Sequence, residues 1–96
     1  MATITTATIT AQNTFSDPVK LEGYFNFSLS GTFDATVTVQ RSTDAITWVD
    51  VDTFTAPTED YGFDPEIIYY RVGVKTGDYV SGSAVVRLGR EDKDRH

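Results

Sequence analysis

At 96 residues the chain holds one domain, because two halves would each be too small to bury a core. The absence of cysteine excludes disulfides, thiolate metal sites and a cysteine nucleophile. Fourteen acidic side chains against eight Lys and Arg give a formal net charge of -6, which works against a general nucleic-acid binder, whose affinity comes largely from basic groups on phosphates.

In chain order, residues 2–11 are rich in threonine and β-branched side chains, which favour extended backbone over helix. Residues 1–13 are therefore expected to form an extended N-terminal arm or edge strand. Ile4 and Ile9 differ in parity, so either a bulge intervenes or the segment is covered on both faces. It lacks a basic start and a continuous apolar run, so it does not read as a signal peptide. No stretch approaches the roughly 18–20 apolar residues that cross a bilayer.

Ser16-Asp17-Pro18 predicts a turn, followed by a short edge-like piece over 19–22 that Gly23 breaks. Three strands are then predicted over 25–30, 35–42 and 47–55, joined by hairpin connections at 31–34 and 43–46, as a β-meander. In the first, Phe25, Phe27 and Leu29 alternate with polar residues, the clearest period-2 pattern of the chain. Ala35, Val37 and Val39 continue it. In the third, Val49 and Val51 are expected inward, with Asp50 and Asp52 on the solvent side and Trp48 near the strand's start.

Residues 56–65 collect turn formers and acids and read as the longest irregular loop of the domain. Alternation returns over 67–75, with Ile68, Tyr70, Val72 and Val74 on one face, and a last strand is expected near 83–90. Residues 91–96 read as a mobile charged tail. Seven or eight short antiparallel strands without helical periodicity predict a single all-β domain over 1–90. Its expected architecture is a β-sandwich, jelly-roll or immunoglobulin-like, with a small barrel as the neighbouring alternative.

Catalytic and metal chemistry find little support in the residues. The one histidine is His96, at the chain end, so neither a Ser-His-Asp triad nor a histidine zinc site can be assembled. Asp50 and Asp52 share a strand face about 7 Å apart, a spacing relevant to glycoside chemistry but commoner as a solvated face. Glu59, Asp60, Asp64 and Glu66 offer oxygens to a hard cation, yet their spacing matches no known cage. No catalytic, cofactor or metal residues are expected, and the chain is not expected to be an enzyme.

Residues 42–48, Ser-Thr-Asp-Ala-Ile-Thr-Trp, resemble the Asp-box hairpin Ser-x-Asp-x-Gly-x-Thr-Trp, one residue short and without its glycine. Asp44 is expected to accept backbone N–H bonds there. Tyr24, Trp48, Tyr61, Tyr69 and Tyr79 form the one constellation suited to binding, although half-buried positions in a sheet are the plainer reading of such side chains. Trp48, Tyr24 and Tyr69 are the candidates for stacking on a sugar ring. For assembly the candidates are Ile4, Ile9, Phe15, Tyr61 and Phe63.

Residues 13–19 (NTFSDPV), 25–33 (FNFSLSGTF), 36–42 (TVTVQRS) and 70–77 (YRVGVKTG) together resemble small all-β virion proteins of tailed bacteriophages. The resemblance implies a capsid decoration or stabilising protein on the outer head, with a head-fibre, tail or carbohydrate-binding component as the alternative. It also implies a homo-oligomer, commonly a trimer, that binds a capsid or other virion protein and resides in the virion, with no nucleic-acid or membrane partner. Its threonine-rich arm is expected to add a strand to a neighbour's sheet edge and to be dispensable for folding.

Overall fold

A computed structural model describes residues 2–91, and among these the chain forms nine β-strands and no helix. Met1 and residues 92–96, with His96 and most of the expected tail, lie outside the described residues. The strands are β1 (Ala2–Ile9), β2 (Thr14–Phe15), β3 (Val19–Ser30), β4 (Phe33–Ala35), β5 (Val37–Ser42), β6 (Val49–Phe54), β7 (Thr58–Val74), β8 (Tyr79–Gly82) and β9 (Ala84–Glu91). Seven belong to one antiparallel sheet in the order β1-β9-β3-β7-β5-β6, with β2 laid against the C-terminal end of β7. A separate pair, β4 with β8, packs Phe33 and Tyr79 against the core.

The sheet is folded over on itself. In a flat sheet Phe27 on β3 and Phe54 on β6 would stand three strand spacings, about 14 Å, apart, yet their rings stack with centroids 5.0 Å apart. The fold runs through the long antiparallel β3–β7 ladder. Between Leu21 and Gly23 on β3, the partner on β7 moves from Ile68 to Asp64, so β7 carries two extra residues around Pro65. A bulge is where a strand tolerates proline, because no ladder N–H is required of it. Opposite, Gly23 takes φ +79°, a conformation costly for any residue with a Cβ.

Asp64 anchors this bend. Buried there, it accepts hydrogen bonds from Arg41 Nη2 at 2.8 Å, from the Tyr70 hydroxyl at 3.0 Å and from the Glu66 amide at 3.2 Å. The bend yields two layers. The first contains β1, β9, the C-terminal part of β3 and the N-terminal part of β7; the second contains the remainder of β3 and β7 with β2, β5 and β6.

Alternation does what the sequence predicts for most core positions. Leu21, Phe25, Phe27 and Leu29 from β3, Val72 and Val74 from β7, and Val86 and Leu88 from β9 are buried between the layers. Full burial of each contributes about 1.5–3 kcal/mol. The molecule is thus a single-domain, all-β, two-layered fold.

Several expectations are corrected. For the N-terminal segment the edge-strand alternative holds and the free arm does not: β1 pairs residue by residue with β9 at the end of the sheet, and Ile9 is 0% exposed, so removing the segment opens the core. Its strand is regular, which places Ile9 inward and Ile4 outward. The meander is absent because β7 lies between β3 and β5, and only the β5–β6 hairpin remains. Gly23 bends its strand without ending it. Residues 58–65 are strand, since Thr58–Asp64 pair with β3.

Val49 and Val51 are 60% and 48% exposed. One step on β5, Val39 to Gln40, matches two on β6, Asp52 to Asp50, so a bulge at Val51 interrupts the parity. Phe54 takes the core position, and Asp50 and Asp52 no longer share a face.

Candidate functional site

Three surface features follow from this architecture. The first is the outer face of the first layer. Consecutive cross-strand partners share a face, so the row Ile4, Gly89, Asn26 and Tyr61 crosses all four strands, with Tyr24 opposite Phe63 one row along. The Tyr24 and Phe63 rings lie 4.8 Å apart, tilted, although the residues are far apart in sequence. Tyr24 is 70%, Tyr61 73% and Phe63 56% exposed.

Gly89 allows this sheet to close. A Cβ on it would stand 2.2 Å from the Thr3 carbonyl oxygen, so only glycine lets β1 lie this close. That position therefore contributes no side chain to the row between Ile4 and Asn26. Beside it, Tyr24, Asn26, Tyr61 and Arg90 line a shallow depression, where Arg90 Nη1 donates to the Glu22 carbonyl. The next row carries Thr6, Arg87, Ser28 and Glu59, with Ser28 donating to Glu59 at 2.9 Å. The face therefore has an aromatic centre and a polar flank of both charge signs.

The second feature is the open seam between β6 and the N-terminal half of β7, a cleft of about 130 Å³ with Phe25, Phe27, Phe54 and Tyr70 in its wall. Two edge amides along it are already occupied. The Thr53 amide donates to Asp52 Oδ1 at 2.9 Å and the Tyr61 amide to Asp60 Oδ1 at 2.8 Å. Acids folded back onto their own strand blunt an edge against added strands.

The third feature is the outer face of the second layer. Arg71 lies with its guanidinium carbon 4.1 Å from the Phe15 ring centre and 4.4 Å from that of Trp48. Its Nε donates to Gln40 Oε1 at 2.8 Å, Gln40 Nε2 donates to Asp50 Oδ1 at 2.8 Å, and Lys75 Nζ donates to Asp50 Oδ2 at 2.7 Å. Burial lowers the Arg71 pKa from its ordinary value. Lys75 and Gln40 hold the Asp50 carboxyl below its usual range, and Asp50 in turn raises Lys75. Lys20 stands 5.5 Å over the Tyr69 ring on the same face.

At the β5–β6 turn, Ile46 and Thr47 each donate an amide to Asp44 Oδ1 at 2.9 Å, and Ser42 Oγ receives those of Asp44 and Ala45. The Thr47 and Ile46 bonds keep the Asp44 carboxyl below its usual range. Ala45 adopts φ +62°, where one deletion would align the glycine of the Asp-box pattern.

Of the expected assembly residues, Ile4, Tyr61 and Phe63 therefore come together on one face, joined by Tyr24 from the stacking set. Ile9 is core and cannot form a surface without unfolding. Phe15 and Trp48 clasp Arg71 on the opposite layer, and Tyr69 lies half-buried there. The loop acids do not converge: Asp64 is inward, bound to Arg41, while Glu59 accepts from Ser28. Among the described residues no three or more acidic or histidine side chains are placed to hold a metal. Sequence reasoning passed over Arg71 and Gln40, whose aromatic and polar partners come from other strands. Comparisons with protein-family models, curated proteins and solved structures give no match for the chain.

Proposed function

We propose that the chain is a non-catalytic binding and assembly protein, a virion structural protein of the capsid-decoration type that attaches through the outer face of its first layer. The observation supporting attachment there is the convergence of Ile4, Tyr24, Tyr61 and Phe63 on one side of a four-stranded sheet. A solvated sheet face is ordinarily polar, and exposed apolar clusters of this kind mark contact surfaces. Tyrosine and phenylalanine supply large contact area with few rotamers to freeze. The virion assignment itself rests on the sequence resemblance.

At the seam, the occupied amides of Thr53 and Tyr61 disfavour strand addition, so the attachment proposed is by the face. The partner is accordingly a flat, repeated protein surface, together with further copies of this chain. The test is multi-angle light scattering of the protein alone and mixed with empty shells of the phage that encodes it, for the wild type and for Tyr61→Ser/Phe63→Ser. Co-elution that the double variant loses while melting normally agrees with the proposal. A monomeric wild type that ignores shells overturns it.

A second reading is a carbohydrate-binding module. It is favoured by the depression between Tyr24, Asn26 and Tyr61, which pairs stacking rings with an amide. Glycan-array binding abolished by Tyr61→Ala, in a protein that does not bind shells, would select it.

A further inference from the structure

Arg71 has one edge committed and one free. A guanidinium carries five N–H donors, and among the described residues Arg71 uses only its Nε–H, on Gln40. No carboxylate among the described residues pairs with it, the two ion pairs there being Arg41–Asp64 and Lys75–Asp50. Aromatic rings on β2 and just before β6 cover its faces, while its terminal nitrogens have no partner among the described residues. Beside them is a depression lined by Asn13, Phe15, Gln40, Arg71, Lys75 and Thr76.

We propose that this depression binds a carboxylate, held by the two Nη groups of Arg71 as a bidentate fork and drawn in by Lys75. The fork is oriented before any ligand arrives. Gln40, only 6% exposed, holds Nε and is itself held by Asp50, which Lys75 clamps. The rim is pinned as well, because the Gly77 amide donates to Gln12 Oε1 at 2.9 Å and Thr14 Oγ1 to the Gln12 carbonyl at 3.0 Å. Groups fixed during folding need not be frozen on binding.

Shape and charge narrow the ligand class. A planar carboxylate matches the guanidinium fork in geometry. Asp50 is in contact with Lys75, and Asp78 acts on Lys75 through its charge. Two cations facing two anions suit a monoanion better than a phosphate dianion, which the neighbouring acids repel. Simple carboxylates and the carboxylate of an acidic sugar share this chemistry.

Trp48, the only tryptophan, is a built-in reporter 4.4 Å from the guanidinium. Its fluorescence is followed while acetate, glucuronate, glucose and inorganic phosphate are titrated at constant ionic strength. Acetate and glucuronate are expected to give saturable changes, with glucose silent and phosphate weaker. Tighter binding of glucuronate than acetate identifies the acidic sugar as the source, and equal binding a simple carboxylate. Arg71→Lys should weaken binding by about tenfold or more, because it keeps the charge and loses the fork. As a readout independent of any variant, the Arg71 side-chain nitrogen resonances of the wild type should shift with the same saturation curve. No saturable response to either carboxylate, a response in which those resonances do not move, or tighter binding of phosphate overturns the proposal.

Discussion

Replacing Asp64 by asparagine tests how the bend of the sheet is held. The side chain is 4% exposed and carries three hydrogen bonds. Asparagine keeps an oxygen for the Glu66 amide but gives up the charge that faces Arg41. A hydrogen bond to a charged group contributes about 1.5–3 kcal/mol, and the Arg41 side chain, 41% exposed, recovers part of the loss from water. The expected cost is therefore about 2 kcal/mol, or about 8–16 °C in Tm for a domain of this size.

The cost should depend on pH. Burial is the largest single influence on the Asp64 carboxyl and raises its pKa, but the bonds from Arg41, the Glu66 amide and Tyr70 together hold it below the usual value. A depressed folded-state pKa gives stability that is complete above the unfolded value, about 3.9, and lost as pH falls through the folded value. Asp44 and Asp50 are depressed too, but both are present in wild type and variant and cancel. Urea unfolding followed by Trp48 fluorescence should show a constant gap between the two proteins from about pH 7 down to about pH 4, narrowing at lower pH. A gap that is absent at neutral pH, or that already closes between about pH 7 and 5, refutes the argument.

Three further outcomes are expected. Thr38 on β5 is fully buried and its hydroxyl has no partner among the described residues, so Thr38→Val should raise stability by about 1 kcal/mol, read as a higher Tm. Ala45→Gly should add about 0.5 kcal/mol in urea unfolding, because it relieves a left-handed alanine and returns part of the gain as chain entropy. Ile9→Ala should cost about 2–5 kcal/mol and Ile4→Ser about 0.5 kcal/mol or less, and the reverse order would place β1 in the wrong register.

Legibility in the sequence follows the range of the interaction that decides each element. The alternation of Phe25, Phe27 and Leu29 announces their strand and its buried face because side-chain direction along a strand is a local property. The Asp44 turn is local as well, since the bonds that make it span three residues at most. Tyr61 and Phe63 did share a parity, but Pro65 and the surrounding acids read as loop. Proline is acceptable there only because β3 turns at Gly23 opposite it, some forty residues earlier in the chain.

From its sequence alone this protein is determined to be a cysteine-free, acidic, all-β chain whose strands alternate around an aliphatic and aromatic core, since composition and period-2 patterning act between near neighbours. Tertiary structure decided the rest. Strand order placed β7 between β3 and β5, the bulge at Val51 turned Phe54 inward, and pairing with β9 chose the edge strand over the free arm for the N-terminal segment. It also brought Ile4, Tyr24, Tyr61 and Phe63 to one face and Phe15, Arg71 and Trp48 to the other. Register and layer packing are set by contacts between distant segments, and a pattern that repeats every two residues is the same for any partner a strand takes.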